Sequence, residues 1–474
     1  MTTAARRPER RSRPRGALTL AVVLSALPAA AQQGAETVPG PVLRLDVTSG
    51  VTASDNIDRE REPAGTSVLS QTNLRATYDA RTRTERLTIS GGVQLEFGAY
   101  ADEEIADPGL KSPFLRVAYQ RRTRSAQLSL DAAYSVVDVG RERVEFEDLD
   151  GDGDPDDLIL DRGTRAATRL GAGLVLGRDG PATYSAELGY ADTRYSDTTD
   201  PDLNDSVTLT FDQGLSLALT RTTRLLLDLD YRERDEDDAE ETFESNIAAT
   251  VGLSHAWNTG LSVSARLGYS VEEITRTRGG ARSTERQDAP VFSMSLSQQR
   301  PNGEITASLS RQLGEQGTRT TLRFGRALEL PRSSLDASLG ITAGESDDDL
   351  RLVGNLAYSR PTPRGALTLR LSQQVSSDED TDVFSTVANL GYRHELSRLS
   401  QVSLSLGLAA TDAVDPDETD RQRTSLQVAY SRRLTEDWNF NLGLRHSTSR
   451  ETGLDPIIEN AVFATVSRRF DLLP

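Results

Sequence analysis

Ten residues near position 150 have side chains and spacing that suit a metal ion. Residues 148–157 read Asp-Leu-Asp-Gly-Asp-Gly-Asp-Pro-Asp-Asp. Carboxylates at every second position offer hard oxygen ligands, and Gly153 permits the sharp turn that would wrap them around one Ca²⁺. The sequence therefore predicts a calcium site formed by Asp148, Asp150, Asp152, Asp154 and Asp156.

The same segment has a second interpretation. Its spacing resembles repeat-type aspartate loops that bind calcium, but Ile159 occupies the twelfth position, where an EF-hand has glutamate. The alternative is a solvated acidic loop that meets lipopolysaccharide through divalent ions. We expect no cofactor to be required in either case.

Residues for enzymatic catalysis are sparse. The three histidines, His255, His394 and His446, each share the alternation of apolar neighbours, whereas a catalytic base should lie on the polar side. Cysteine is absent, which excludes disulfides and thiolate metal sites. The formal net charge of -18 argues against nucleic acid as a partner. We therefore expect a protein that is not an enzyme.

The first 31 residues have the three parts of a secretory signal peptide. Arginines crowd residues 6–15, a short apolar run covers 17–27, and three alanines at 29–31 suit cleavage. The apolar run is shorter than the ~20 residues of a spanning helix. We predict a signal peptide over 1–31, a short periplasmic segment over 32–41, a barrel over 42–470 and a tail over 471–474.

The elements that must position any site are strands. Leu43, Leu45 and Val47 alternate with polar residues, and this period of two recurs to the end of the chain. We count 22 such segments (range 18–24), most of them long enough to cross an apolar band of ~25 Å when tilted. Short turns such as 122–124 alternate with mostly longer, acidic connections such as 139–163. Tyrosine and tryptophan cluster at strand ends on the apolar side, as expected of interfacial girdles.

A spanning sheet in lipid must close, because every backbone polar group needs a partner. The predicted fold is therefore a single closed, transmembrane, antiparallel all-β barrel. An even strand number puts both termini at the short-turn side, which is the periplasm of a Gram-negative bacterium. Soluble sandwich domains are the weaker alternative, since no linker-like boundary interrupts the pattern.

The chain resembles bacterial outer-membrane barrels over nearly its whole length after residue 31. Residues 51–57, Val-Thr-Ala-Ser-Asp-Asn-Ile, resemble the opening of porin-like barrels, some of which belong to exopolysaccharide systems. Residues 460–470 resemble a C-terminal assembly signal ending in Phe470, although four residues follow it. The resemblance implies lipid, lipopolysaccharide and the barrel-assembly machinery as partners.

Three functions follow as hypotheses. Only residues 32–41 precede the first strand, too few for an N-terminal plug, so we expect a barrel without a plug domain. The first hypothesis is a porin-like passive conduit for small solutes. The second is a component of exopolysaccharide export or surface assembly, with polysaccharide as partner. The third is a structural surface protein with calcium-binding acidic loops.

Overall fold

The computed structural model describes residues 40–101, 109–139, 163–198, 203–345, 350–378, 381–413 and 420–473. Residues 1–39 and the aspartates of 148–157 lie outside the described part. In the part of the chain described, no helix has the length and apolar character needed to cross a membrane.

Twenty-two antiparallel strands form one closed sheet, because each pairs with its neighbours in the chain and β1 also pairs with β22. The strands are β1 Val42–Ser54, β2 Ser67–Arg81, β3 Glu85–Ala99, β4 Gly109–Arg122, β5 Ala126–Asp138, β6 Thr164–Leu176, β7 Ala182–Ser196, β8 Ser206–Ala218, β9 Thr223–Glu236, β10 Phe243–Ala256, β11 Leu261–Arg278, β12 Ala281–Arg300, β13 Gly303–Gly314, β14 Gly317–Leu330, β15 Ser333–Gly344, β16 Arg351–Thr362, β17 Gly365–Asp378, β18 Thr381–Ser397, β19 Ser400–Ala413, β20 Arg421–Arg433, β21 Trp438–Glu451 and β22 Ile457–Leu473.

The barrel has two chemically different ends. The end where β1 begins and β22 finishes carries the short connections, and we call it the turn end. The opposite end, called the loop end, carries the longer connections such as residues 55–66. At the loop end β11 and β12 are joined by Gly279 and Gly280, whose φ angles of 59° and 86° suit a two-residue hairpin turn.

Cross-strand register sorts the side chains into two faces. Val47 pairs with Leu74 on one face, while Asp46 pairs with Arg75 and Arg469 on the other. The apolar face points outward: Leu115, Leu267 and Leu339 are exposed on it. The polar face lines the lumen, and the pattern of alternating residues therefore sets both surfaces of the wall.

Candidate functional site

The lumen wall carries charges of both signs along its whole height. On β9 and β11, Arg266 Nε lies 2.8 Å from Asp228 Oδ2. Asp230 faces the lumen beside Asp228 and pairs across the sheet with Asp212 of β8. Such a wall can hydrogen-bond a hydrated or charged ligand at many heights, which an apolar wall cannot do.

One hairpin turn folds into the lumen at the loop end. The ladder between β12 and β13 begins at the pair Phe292–Arg311, whereas β12 stays paired with β11 as far as Ala281. Pro290 explains this limit, because proline has no N–H to donate to a ladder. Freed from β12, the turn between β13 and β14 approaches the inner face, where Gln287 Nε2 donates to the carbonyl oxygen of Glu315 at 3.2 Å.

The tucked turn, residues 314–317, brings carboxylates together. Burial, followed by the charge of Glu244 on β10, raises the pKa of Glu315 to about 9. Glu272 on β11 also lies close to Glu315 and is only 2% exposed. At neutral pH the Glu315 carboxyl is therefore protonated, which removes the repulsion that would push the turn out of the lumen.

A second carboxylate, Glu345, lies on the other side of the turn, and its pKa is shifted downward instead of upward. Glu345 Oε2 accepts hydrogen bonds from the Thr318 hydroxyl at 2.7 Å and from its backbone N–H at 3.2 Å. These bonds hold the pKa of Glu345 below its ordinary value. Glu345 is thus ionised at neutral pH and ties the start of β14 to the end of β15.

The seam between the first and last strands is closed by the loop that follows β1. Asn56, 4% exposed, donates from Nδ2 to the carbonyl oxygens of Ile458 at 3.0 Å and Glu60 at 2.7 Å. The Asp55 carboxylate accepts from the backbone N–H and the side chain of Asn460 at 2.7 and 2.8 Å. We call residues 54–56 with Glu459 the seam clamp.

Glu459 is the charged centre of the seam clamp and is only 1% exposed. Its carboxylate lies 2.6 Å from Arg445 Nη2 and 3.3 Å from Arg59 Nε, and it accepts from the Ser54 hydroxyl at 3.2 Å. Burial lowers the pKa of Arg59, and the charge of Glu459 opposes that shift. The loop 55–66 is therefore held on the lumen side of the seam.

The predicted calcium ligands and the three histidines differ in what the structure shows of them. The predicted calcium ligands Asp148, Asp150, Asp152, Asp154 and Asp156 lie outside the described residues, so this site stays a prediction. His255, His394 and His446 face outward by register, as expected. Among the residues that the structure describes, no group of three or more His, Cys, Asp or Glu could hold a metal ion.

The sequence matches no protein-family model and no curated protein. Solved structures, in contrast, share its architecture. The FrpB iron transporter from Neisseria meningitidis (F5-1 variant) superposes with a TM-score of 0.58 at 11% identity, over 91% of this chain and 83% of that one. For the copper transporter OprC the values are 0.54 and 13%, over 90% and 80% of the two chains.

A third example, the ferric-catecholate import receptor Fiu from E. coli K12, superposes with a TM-score of 0.55 at 9% identity, over 90% of this chain and 81% of that one. The chain has the barrel fold of TonB-dependent receptors. At these identities the likeness concerns the fold. It places a closed barrel of this kind in the outer membrane of a Gram-negative bacterium.

This comparison corrects the predicted fold class. A barrel class without a plug domain is wrong, because TonB-dependent receptors have one. The alternation of residues 42–470 describes the wall and carries no information about what fills it. Strand number was the better guide, since transporters of 22 strands are plugged.

The functional hypotheses are corrected by the same finding. The porin-like passive conduit and the exopolysaccharide export component are wrong, because the solved barrels of this fold are receptors and transporters for iron, copper and siderophores. The structural surface protein with calcium-loaded loops likewise lacks support among them. These neighbours are not enzymes.

Sequence reasoning also missed the seam clamp. It used residues 51–57 as a sign of resemblance without assigning a task to Asp55 or Asn56. The available signal was an Asx-rich segment directly after a strand, where such side chains cap backbone groups. Their partner, Glu459, lies in the last strand, and nothing in the sequence near either segment indicates that the two meet.

Proposed function

We propose that this chain is the outer-membrane barrel of a receptor-type importer that binds a metal complex in its lumen and works with a second occupant of that lumen. The observation that supports this proposal is the closed wall of 22 strands around a charged lumen. At ~4.8 Å between strands and a tilt of ~40°, such a wall is roughly 45 Å across between backbones. Left open, that width would let most small solutes leak through the membrane.

The ligand class rests on the lumen and on the neighbours. FrpB is named for iron, OprC for copper and Fiu for ferric catecholates. A chelated metal presents oxygen atoms and negative charge, which guanidinium groups bind by charge-assisted hydrogen bonds. Arg266, which lies beside Asp228 on the inner wall, offers such a group to the lumen. A plug-like body in the lumen would then couple binding to release.

Ligand binding is the direct test. Purified barrel in detergent should bind a ferric catecholate or a copper complex saturably in equilibrium dialysis. Arg266→Gln should weaken binding, whereas the outward-facing Arg300→Gln should leave it unchanged. Steady conductance in planar bilayers at every voltage, together with no binding of either complex, would overturn the proposal.

The orientation forms part of the same proposal: the turn end, with both termini, faces the periplasm, and the loop end faces the exterior. The chain has no cysteine, so single cysteines can be placed without background. On intact cells a membrane-impermeant maleimide should label Gly279→Cys at the loop end and spare Asn258→Cys at the turn end. The reverse pattern would contradict the orientation. Lipopolysaccharide at the loop end and the barrel-assembly machinery acting on β22 are the partners that this orientation implies.

A further inference from the structure

The two ends of the barrel differ in the sign of their charge. The connections at the turn end are rich in arginine: Arg83, Arg124, Arg178, Arg221, Arg332, Arg364 and Arg398. The loop end is instead rich in carboxylates, as in residues 234–242. A positive end and a negative end on one membrane protein suggest that the two membrane surfaces offer different partners.

A short repeat concentrates this positive charge on the lipid-facing side. Three strands that run toward the turn end finish on Ala-Tyr-x-Arg: residues 118–121 in β4, 357–360 in β16 and 429–432 in β20. Side chains two positions apart in a strand share a face. The three tyrosines, Tyr119, Tyr358 and Tyr430, lie on the same face as the outward apolar residues of their strands. The arginines two positions further on, Arg121, Arg360 and Arg432, therefore also point outward.

The pairing register supports this placement. Tyr119 pairs with Leu87 and Leu130, and Tyr430 pairs with Val402 and Leu442, all on the outward face. Arg360 pairs with Leu367, and Arg432 pairs with Phe440. The guanidinium groups therefore emerge from the apolar band and not from the lumen wall.

Two of these arginines lack an ion-pair partner among the described residues. Arg360 and Arg432 are exposed and form no ion pair with any residue of the described ranges. Arg121 Nε lies 3.5 Å from Glu85 Oε1, and the arginine side chain is 58% exposed while the glutamate is half-buried. Exposed pairs of this kind exchange readily for another anion, since they contribute little stability.

Three further arginines complete a belt on the same face. Arg300 ends β12, and Arg326 of β14 reaches back to the turn end, where Nη2 donates to Asn302 Oδ1 at 2.9 Å. Arg468 of β22 lies over the rings of Trp438 and Phe470, 5.3 and 4.4 Å from their centroids. We define the arginine belt by these residues: Arg121, Arg300, Arg326, Arg360, Arg432 and Arg468.

We infer that the arginine belt binds the headgroup phosphates of anionic phospholipids in the leaflet at the turn end. Tyrosine rings settle at the headgroup level. Two residues further along a tilted strand is a displacement of about 5 Å along the membrane normal. That step carries each guanidinium from the level of the ring to the level of the phosphates, which it can bind through two parallel hydrogen bonds.

An acidic protein at the turn end is the competing partner. It would meet the arginines of the turns, which project away from the membrane. The belt arginines instead share the face of Leu, Val and Tyr side chains that lipid covers. Their position therefore favours lipid.

The test compares two triple variants of the full chain. Arg121, Arg360 and Arg432 are changed to Gln in the belt variant. Arg122, Arg393 and Arg433, at the same end but on the lumen side of the alternation, are changed to Gln in the control. Both lose the same charge. A third variant, with Lys at the three belt positions, keeps the charge and verifies folding, and the heat-dependent mobility shift of folded barrels is checked for all.

The readout is phosphatidylglycerol retained on the barrel in native mass spectrometry, and thermal stability in nanodiscs of phosphatidylglycerol against phosphatidylcholine. Each arginine lost from the belt variant should weaken the binding of phosphatidylglycerol at its own position about fivefold. The control and the Lys variant should remain near the wild-type value, and inorganic phosphate should not displace the lipid.

Several results would overturn the inference. One is equal lipid retention by the belt variant and the control. Displacement by millimolar inorganic phosphate would identify free phosphate as the ligand. A belt variant that keeps its phosphatidylglycerol but loses affinity for poly-glutamate would assign the arginines to an acidic protein.

Discussion

Asn56 and Ile458 are joined across the seam of the barrel, although 402 positions separate them in the chain: the amide Nδ2 of Asn56 donates to the Ile458 carbonyl at 3.0 Å. A further bond from the Glu60 N–H to Asn56 Oδ1, at 2.8 Å, fixes the orientation of this amide. The side chain therefore satisfies three backbone groups at the place where a cylinder made from one sheet must be sealed.

Asn56→Ala should loosen this seam. The substitution leaves buried backbone groups without partners, and we expect a loss of about 1–3 kcal/mol in the free energy of unfolding, measured by urea titration in lipid vesicles. Asn439→Ala removes an exposed asparagine at the turn end and serves as the control. Equal stability of both variants would contradict the clamp.

Glu459 should matter more than any exposed acid of the wall. Glu459→Ala leaves the buried Arg59 and the half-buried Arg445 without their carboxylate, and we expect a loss of about 3–5 kcal/mol in unfolding free energy. Asp46→Ala breaks the exposed pair with Arg469 and should cost less than about 1 kcal/mol. The idea fails if the two losses are alike.

The tucked turn should loosen as pH rises. Glu315 has an ordinary pKa of 4.5 and a folded pKa of about 9, so between these values the folded turn holds a proton that the free carboxyl has lost. The stabilisation is complete below the ordinary pKa and disappears as pH rises through the folded one. Amide exchange of residues 314–317, corrected for intrinsic rates, should therefore be faster at about pH 10 than at about pH 6. Glu315→Gln should abolish the difference, and its persistence would exclude Glu315 as the cause.

Glu345 should give the opposite pH dependence of stability to the start of β14, where it binds Thr318. Its hydrogen bonds from Thr318 lower its pKa, so their contribution is present above the ordinary pKa and is lost on acidification through the folded value. Exchange of the Thr318 amide should accelerate in acid, and Glu345→Gln should flatten this dependence. An unchanged acid response in the variant would show that another group is responsible.

Gly443 should tolerate no side chain while Phe463 is present. The inward Phe463 ring lies against this glycine on the neighbouring strand, and a Cβ there would overlap the ring. We expect Gly443→Ala to cost about 1–3 kcal/mol by urea titration. In a Phe463→Ala background the same change should cost less, with the close approach to the Val428 carbonyl oxygen as the remaining cost, and a strictly additive double variant would rule out the contact with Phe463.

The alternation of apolar residues located most strands because it records contact with lipid on one face. For β1 the predicted start at residue 42 is also the observed one. It failed for β12, predicted from 289, because residues 281–288 form a polar extension beyond the apolar band while remaining strand. Periodicity therefore reports where a strand meets lipid and not where it ends.

Contacts between distant parts of the chain could not be predicted, because periodicity describes each strand by itself. Arg59 and Glu459 are ordinary charged residues until the last strand returns beside the first. The inward tilt of the β13–β14 turn depends on Pro290 in a different strand. What occupies the lumen leaves no trace in the pattern of the wall, which is why the plug was predicted wrongly.

The meeting of Val42–Ser54 with Ile457–Leu473 has a consequence for biogenesis. A polypeptide arrested before its final hairpin would present two naked sheet edges, and its first strand would lack Ile458 and Glu459, the partners to which the loop after β1 is bonded. Maturation should thus wait for the last seventeen-residue strand. C-terminal truncation should yield degraded or aggregated material, never a shortened pore.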